Sequence, residues 1–376
     1  MKTLLTGGTV LQGDGVWASD CPVLWENGKI LATGEACGAY VADRTLSAEG
    51  LCVLPGLVDV HTHGRSGFDF NTATAEQMRS VKRDYAMRGV TSVFATLASD
   101  TAEGWLRSIR AIEESGYEGI HFEGRYLNAG KRGAHAPELL CPLDAADLEA
   151  VLQHVHLPCH ISAAFELDSD GSFAACARRF GATLGLGHSM ATADEARLAI
   201  SRGVTSFTHL YNCMPQLHHR EGGAVCVALN GGGYGELIAD GMHICPDMIR
   251  LAYRCLGRDK TVLITDSMEA TGCADGEYAI AGQPVIVKDG KALTLDGALA
   301  GSTLDLWNGV KNLMKFADAS LADAVLCATV NPSRMVGIDG EVGSIEAGKR
   351  ADLLLVDDQL NLCTVIARGE ILKEDV

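Results

Sequence analysis

The middle of the chain repeats one helix-and-strand unit, and this repeat restricts the possible folds more than any other feature. A helix that begins after Thr74 ends near Gly89 and leads into the apolar stretch VTSVFATL. A second helix begins after Thr192, ends near Gly203 and leads into VTSFTHL. Each unit has an N-cap threonine, early acidic residues and a glycine stop. Apolar strands joined by helices predict parallel β-structure.

The length of this repeating region indicates which parallel fold it forms. Between Pro55 and Gly337 there is room for about eight such units, which predicts a (β/α)8 TIM-like barrel. A doubly wound sheet is the second choice, because no GxGxxG motif follows the first strand. The stretch EYAIAGQPVIVKDGKALTL breaks the alternation and predicts a β-hairpin insertion.

Both ends of the chain read as short strands separated by turns. Gly13-Asp14-Gly15 and Glu26-Asn27-Gly28 separate apolar runs near the N-terminus, and GKRADLLLVDDQLNLCTVIARGEIL has the same pattern near the C-terminus. We therefore expect one small β-sandwich built from both termini. The predicted division is residues 1–54 and 340–376 for the sandwich and 55–339 for the barrel.

Composition excludes several classes of function. The chain has 31 basic and 48 acidic residues, a formal net charge of −17, which argues against nucleic acid or an anionic membrane as the main partner. This net charge does not exclude a local cationic pocket for a phosphorylated metabolite. The 13 cysteines include no CxxC pair and predict free thiols in a reducing cytoplasm. We identify no signal peptide and no apolar run of 18 residues, so we expect no membrane span.

The stretch LPGLVDVHTHG contains the first candidate metal ligands. Alternation along a strand places Asp59, His61 and His63 on one face, where two imidazoles could hold one metal ion. An HxH motif alone is weak, because most such histidines lie on surfaces or in satisfied cores. His121 is expected in the core or directly behind the metal ligands, and His160 in a structural or solvent-facing position.

Four further polar residues follow apolar runs, as expected for the C-terminal ends of strands. They are Glu123, His188, His209 and Asp266. In a parallel barrel these ends open on one face, so side chains distant in sequence converge there. Imidazole and carboxylate suit Zn²⁺, and also Fe²⁺ or Mn²⁺. The alternative is that His188 and His209 finish their strands and form only local hydrogen bonds.

Several blocks of the sequence carry a family resemblance. PGLVDVHTHG resembles the first-strand signature of the amidohydrolase superfamily. The blocks HFEGRYLNAGKRGAH, LGHSMA, THLYNCMPQLHHREGG, IADGMHICPDMI, LITDSMEATG and LAGSTL, in this order, resemble N-acetylglucosamine-6-phosphate deacetylases. The resemblance covers nearly the whole chain, including GSIEAGKRADLLLVD.

This resemblance implies roles for the matching positions. Glu123, His188 and His209 match metal ligands. His61 and His63 match a pair that some members lack, which leaves room for a second ion bridged by Glu123. Asp266 matches the catalytic acid/base, and His243 matches a residue that helps to polarise the carbonyl. The positions that match substrate contacts are Ala134, Asn212, Cys213, Arg220, His243, Leu299, Ala300 and Gly301.

Arg220 is our candidate for reading the substrate's phosphate. It lies in the loop QLHHREGG after the His209 strand, and a guanidinium can donate two parallel hydrogen bonds to phosphate oxygens. The alternative is a surface arginine paired with Glu221. Three places depart from the family pattern: Arg125-Tyr126, Gly222-Gly223 and Cys213.

The spacing of lysines separates this chain from other amidohydrolases. Hydantoinase-like and dihydroorotase-like relatives bridge two metals with a carboxylated lysine on a middle strand. No lysine occurs here between Lys131 and Lys260, so a bridge must come from a carboxylate, and Glu123 is the candidate.

The leading hypothesis is metal-dependent deacetylation of N-acetyl-D-glucosamine 6-phosphate to D-glucosamine 6-phosphate and acetate in amino-sugar catabolism. One or two divalent ions, most simply Zn²⁺, and a homodimer are implied by the resemblance. The alternatives are deacetylation of N-acetylgalactosamine 6-phosphate, action on a different amide, or deamination. A catalytically silent relative is a further alternative, but its expected signature is loss of a ligand or of the acid/base, and none is lost.

Overall fold

The computed structural model describes residues 1–280, 282–295 and 297–374, which form twenty-three strands and ten α-helices. The strands before the barrel are β1 (Thr3–Thr6), β2 (Thr9–Leu11), β3 (Trp17–Ser19), β4 (Val23–Glu26), β5 (Lys29–Thr33), β6 (Arg44–Ser47) and β7 (Cys52–Pro55). The next are β8 (Leu57–Thr62), β9 (Gly64–Arg65), β10 (Phe68–Asp69), β11 (Val90–Leu97), β12 (Gly119–Glu123), β13 (Cys159–Ala163), β14 (Thr183–Leu186), β15 (Ser206–Phe207), β16 (Tyr234–Ile238) and β17 (Thr261–Ile264). The last are β18 (Gly276–Ile280), β19 (Gln283–Lys288), β20 (Lys291–Thr294), β21 (Leu353–Val356), β22 (Leu362–Ala367) and β23 (Glu370–Glu374).

Helices connect the successive barrel strands, and three more helices follow the last one. They are α1 (Ala75–Met87), α2 (Ala102–Ser115), α3 (Ala145–Leu152), α4 (Ser172–Arg179), α5 (Ala193–Ser201), α6 (Gly223–Val227), α7 (Pro246–Leu256), α8 (Leu306–Ala317), α9 (Leu321–Leu326) and α10 (Val330–Met335). Local sequence sets several boundaries. Thr74 and Gln77 form a capping box at α1, as Thr192 and Glu195 do at α5. Gly116 ends α2 in the left-handed conformation at φ 70°.

Eight parallel strands form the barrel that the repeat predicts. Their order is β17-β16-β15-β14-β13-β12-β11-β8, and each neighbouring pair runs parallel. The two end strands are linked at the mouth, where the Asp266 amide donates to the His61 carbonyl and the His63 amide donates to the Ser267 carbonyl. The barrel is therefore nearly closed, and the carboxyl ends of its strands share one mouth.

Strands from both termini form the second part of the fold. A four-stranded sheet has the order β5-β4-β1-β6, and a six-stranded sheet has the order β23-β22-β21-β7-β2-β3. The pairing of β7 with β21 joins the two ends of the chain. A shared apolar core packs Leu5 and Trp25 of the first sheet against Val53, Leu353 and Ile366 of the second. The predicted fold class is confirmed, and the domain boundaries remain a prediction.

The predicted hairpin insertion has one more strand than expected. β18, β19 and β20 form an antiparallel three-stranded sheet. Residue 281, between β18 and β19, and residue 296, after β20, are not described. The side of this sheet that carries Ile280 and Val285 packs on Met268 and Ala300. The insertion therefore lies beside the barrel mouth, next to the segment after β17. Among the described residues, no helix combines the length and the apolar character that a membrane crossing requires.

Candidate active site

The barrel brings the predicted metal ligands to one buried cluster at its mouth. His61 lies near the end of β8, Glu123 is the last residue of β12, and His188 and His209 each lie two residues beyond β14 and β15. All are at most 4% exposed. The cluster forms because every parallel strand delivers its carboxyl end to the same face.

Glu123 lies at the centre of the cluster. Its Oε1 is 3.1 Å from His188 Nε2 and 2.9 Å from His209 Nε2. The two imidazole nitrogens are themselves 3.0 Å apart. Its Oε2 is 2.9 Å from His63 Nε2, and Oε1 is 3.5 Å from His61 Nε2. Oε1 thus faces three imidazoles and Oε2 faces the fourth, so the one carboxylate contacts both histidine pairs.

Asp266 joins the cluster on the side of the first pair. Its Oδ1 lies 3.3 Å from His63 Nε2 and 3.6 Å from His61 Nε2. Burial would raise the pKa of Asp266, but the neighbouring His61 and His63 outweigh burial and lower it. Burial likewise opposes charge on His63, yet the carboxylates of Asp266 and Glu123 raise the pKa of His63 to about 9. The two carboxylates therefore attract positive charge into this site.

The backbone at the strand ends adopts an unusual conformation. His188, His209 and Asp266 have φ values of 46°, 32° and 49°, in the left-handed region that non-glycine residues seldom occupy. Such backbone strain collects at functional sites, where the surrounding structure holds it in place. This conformation turns the side chain of each residue towards the mouth as the chain leaves its strand.

The donor set fits a divalent cation. His61 Nε2 is buried and has no hydrogen-bond partner, although it faces Glu123 and Asp266. Buried nitrogens of this kind normally have a partner, so an orphaned one calls for an explanation. Neutral imidazole and carboxylate are the ligands that Zn²⁺ and related ions prefer. Groups suited to one ion are His61, His63 and Glu123, and also Glu123, His135 and His188.

His135 is a site residue that sequence reasoning missed. It is 6% exposed, lines the pocket, and places Nε2 3.7 Å from Glu123 Oε2. The Ser99 amide donates to His135 Nδ1 at 3.3 Å, and an amide can only donate. The Ser99 hydroxyl lies 2.9 Å from the same nitrogen. With Nδ1 accepting from the Ser99 amide, a neutral ring carries its proton on Nε2, the nitrogen that faces Glu123. Burial lowers the pKa of His135 to about 4 and keeps the ring neutral.

His243 also lines the pocket and is oriented by Asp240. Its Nδ1 is 2.6 Å from Asp240 Oδ2, and the Asp240 side chain also accepts from the His243 amide at 2.8 Å. Burial opposes charge on the ring, but Asp240 outweighs it and raises the pKa of His243. With Nδ1 engaged, Nε2 is the nitrogen available to a substrate. The i, i+3 spacing of ADGMH is a signal from which Asp240 could have been predicted.

Most of the predicted substrate contacts line the pocket above the cluster. These are Ala134, Asn212, Cys213, His243, Leu299, Ala300 and Gly301. Arg220 does not line this pocket. Its side chain is exposed, and a guanidinium nitrogen lies 2.8 Å from His219 Nε2. Within one chain the loop that carries Arg220 therefore stays apart from the pocket.

Two departures from the family pattern have different consequences. Arg125 turns away from the pocket: it donates to Cys141 Sγ at 2.9 Å and Asp147 Oδ1 at 3.2 Å, and its guanidinium lies 5.5 Å from the centre of the Trp105 ring. Cys213, by contrast, lines the pocket. Of these two positions, Cys213 is therefore the one from which a side chain can influence substrate preference.

Comparison with known proteins assigns the family. The model of the amidohydrolase family matches residues 52–372. The chain belongs to the amidohydrolase family. The predicted resemblance is confirmed, and this amidohydrolase is 32% identical to N-acetylglucosamine-6-phosphate deacetylase of Vibrio furnissii over 94% of this chain and 91% of that one. It is also 32% identical to N-acetylgalactosamine-6-phosphate deacetylase of Escherichia coli O157:H7, over 94% and 95%.

A solved structure agrees with this assignment. A mutant N-acetyl-D-glucosamine-6-phosphate deacetylase of Mycobacterium smegmatis, in complex with N-acetyl-D-glucosamine-6-phosphate, superimposes with a TM-score of 0.91 at 30% identity and covers 99% of each chain. This amidohydrolase therefore shares the whole architecture, including the β-rich ends, with a deacetylase.

Proposed function

We propose that this protein is a metal-dependent deacetylase of N-acetyl-D-glucosamine 6-phosphate that releases D-glucosamine 6-phosphate and acetate. The position of Asp266 carries the proposal, because its carboxylate shares one pocket with the Glu123 cluster and with the oriented ring of His243. A proton acceptor, ligands for a cation and a carbonyl donor are what amide hydrolysis requires.

A divalent ion held by Glu123, His188 and His209, with His61 and His63 able to hold a second, would acidify a water molecule and polarise a carbonyl. The proposed ion is zinc, with iron or manganese as alternatives of similar ligand preference. Asp266 takes the proton of the attacking water and delivers it to the leaving amine. His243 donates from Nε2 to the carbonyl oxygen as negative charge develops there. With its proton on Nε2, His135 offers a second donor to the same pocket.

The second candidate substrate is N-acetylgalactosamine 6-phosphate. It is favoured by the relative of that name, which is as similar to this chain as the N-acetylglucosamine-6-phosphate enzyme of Vibrio furnissii. The two sugars differ only in the configuration at C4. Discrimination between them therefore depends on the side chains that meet the C4 hydroxyl.

A substrate screen tests the proposal directly. Purified protein of known metal content is assayed for acetate release from both N-acetylhexosamine 6-phosphates and from the same sugars without phosphate. We expect turnover of the 6-phosphates, with the glucosamine epimer preferred. Equal turnover with and without phosphate would favour an amidohydrolase of another specificity, and no acetate release from metal-loaded protein would favour a silent relative.

We further propose that the protein is a homodimer in which Arg220 of one protomer binds the phosphate in its partner's pocket. The position of Arg220 supports this, because the loop lies outside its own pocket and is exposed. Co-expression of Arg220→Ala with Asp266→Asn tests it. Heterodimers would then contain one intact site, so random pairing restores about a quarter of wild-type activity. No recovery in verified heterodimers would mean that Arg220 acts within its own chain or not at all.

The cytoplasmic location remains a proposal. It is supported by the thirteen cysteines, all of which are free. Free thiols in this number are typical of proteins kept in reducing compartments.

A further inference from the structure

A buried carboxylate inside the barrel connects residues from both halves of the candidate metal site. Glu236 lies in the middle of β16 and is 0% exposed. Its Oε2 is 3.1 Å from His61 Nδ1, and the same oxygen accepts from the backbone amide of His209 at 3.2 Å. No motif in the sequence pointed to Glu236, because it lies inside an apolar strand and not at its end.

The contacts of Glu236 decide how His61 can act. Oε2 accepts from the His209 amide and therefore acts as an acceptor, so His61 Nδ1 is the donor in its contact with Oε2. The lone pair of the neutral ring is then on Nε2, the atom that faces Glu123 and Asp266 at 3.5 and 3.6 Å. That same nitrogen is buried without a hydrogen-bond partner. Glu236 thereby leaves His61 in the tautomer that a metal ligand requires.

Glu236 is an unusual residue for its location. The interior of a parallel barrel is normally filled by branched apolar side chains, and burying a carboxylate there costs free energy. Its second oxygen, Oε1, has no hydrogen-bond partner and lies 3.7 Å from His160 Nε2. An apolar residue would satisfy packing better, so packing alone does not account for Glu236.

We propose that Glu236 is a positioning residue for the metal centre, which orients His61 through Nδ1 and fixes its tautomer while holding the backbone of His209. A carboxylate behind a ligating histidine typically changes metal affinity by about 10–100-fold. The inference rests on the metal centre of the proposed function, but it does not depend on the substrate.

Metal binding to the metal-free full chain tests the proposal. Zinc affinity is measured by competition with a chromophoric chelator, and bound ions per chain are counted by elemental analysis. Glu236→Met removes the acceptor and should weaken binding of the ion held by His61 by about 10–100-fold. Glu236→Gln retains an acceptor oxygen and should fall between Glu236→Met and wild type. Ser206→Ala is the matched control, because Ser206 contacts His160 in the same interior layer but neither His61 nor His209.

A double-mutant cycle separates positioning from a general effect on the fold. In a His61→Ala background, Glu236→Met should cause little further loss of zinc affinity, because the group through which it acts is gone. A loss as large as in the wild-type background would overturn the proposal, as would wild-type affinity in Glu236→Met itself. Both zinc-affinity measurements are independent of the substrate. They can therefore overturn the role of Glu236 in a protein that is an active deacetylase, and they stay interpretable if the deacetylase assay fails.

A spectroscopic measurement on wild-type protein applies even if Glu236→Met does not fold. In zinc-loaded protein labelled with ¹⁵N-histidine, the His61 resonances are assigned by their loss in His61→Ala. We expect Nδ1 to carry the proton and Nε2 to show the shift of a coordinated nitrogen. A proton on Nε2, or coordination through Nδ1, would contradict the proposal.

Discussion

Two buried carboxylates at opposite ends of β12 have very different surroundings. Glu118, directly before the strand, places Oε1 3.0 Å from Lys82, 2.8 Å from Arg350 and 2.8 Å from Arg368. Glu123, at the other end, is surrounded by imidazoles. Ammonium and guanidinium groups donate hydrogen bonds and offer no lone pair to a metal, whereas imidazoles can release a proton and bind a metal. One end of the strand therefore serves stability and the other serves chemistry.

The ion cluster around Glu118 also joins the two parts of the fold. Arg350 comes from the segment before β21 and is 8% exposed. It contacts Asp352 and Glu118, and donates to the Thr91 carbonyl at 2.8 Å at the start of β11. The barrel and the sheets of the termini are thus held together at the end of the barrel away from its mouth. The comparison predicts that substitutions around Glu123 change turnover, whereas substitutions around Glu118 change the stability of the fold.

The largest effect on turnover is expected for Glu123→Gln. Loss of the charge at the centre of the cluster should remove the metal and lower kcat by about 10⁴-fold or more. Elemental analysis and steady-state kinetics measure both. Glu118→Gln is the matched control and should retain metal and kcat. Full metal occupancy in Glu123→Gln would exclude Glu123 as the central ligand.

Asp266→Asn should have the next largest effect. The amide cannot accept the water's proton, so kcat should fall by about 10²–10⁴-fold, the usual contribution of general acid–base catalysis. Much of the metal should remain bound, because Glu123 is at the centre of the ligand cluster and Asp266 lies beside it. Near-normal kcat in this variant would remove Asp266 from the mechanism.

Arg220→Ala should affect only the phosphorylated substrate. A desolvated arginine–phosphate contact contributes roughly 2–5 kcal/mol, so kcat/KM for the 6-phosphate should fall by about 30-fold to several thousandfold. Poor turnover of the unphosphorylated sugar should barely change. Arg197→Ala is a control, since Arg197 is an exposed arginine paired with Asp194. Equal losses on both substrates would mean that Arg220 does not recognise phosphate.

Arg350→Met should leave turnover of the folded enzyme nearly unchanged and lower its stability. Removing one partner of a buried ion cluster costs about 3–5 kcal/mol of unfolding free energy. Denaturant unfolding and kcat measured on the same preparation would test this. A fall in kcat comparable to that of Asp266→Asn would show that the two ends of β12 are not functionally separate.

The smallest effect concerns stability in acid. Burial would raise the pKa of Glu118, but Lys82 and Arg350 outweigh burial and lower it. A carboxyl group with a lowered folded-state pKa stabilises the fold above its unfolded value of about 4.3, and this contribution is lost as pH falls through the folded value. Glu118→Gln should therefore show a flatter decline in unfolding free energy below that pH. An unchanged decline would assign acid sensitivity to other carboxyls.

Much of the site could be predicted because its residues lie where a regular pattern ends. His61, Glu123, His188, His209 and Asp266 each close an apolar run, and parallel strands must deliver such positions to one mouth. His135 and Glu236 could not be predicted in this way, each for a different reason. His135 belongs to an irregular loop, and Glu236 lies within a strand, where an acidic residue carries no local signal of its partner.

The sequence by itself determined the alternation of strands and helices, the β-rich ends and the identity of the cluster, since these follow from local periodicity and chemically distinctive side chains. Only the tertiary structure decided which groups contact Nδ1 of His135, that Glu236 contacts His61 inside the barrel, and that Arg220 lies outside its own pocket. Those facts depend on distances between atoms far apart in sequence. Periodicity specifies the face on which a residue lies, whereas the assembled barrel decides which residue it meets there.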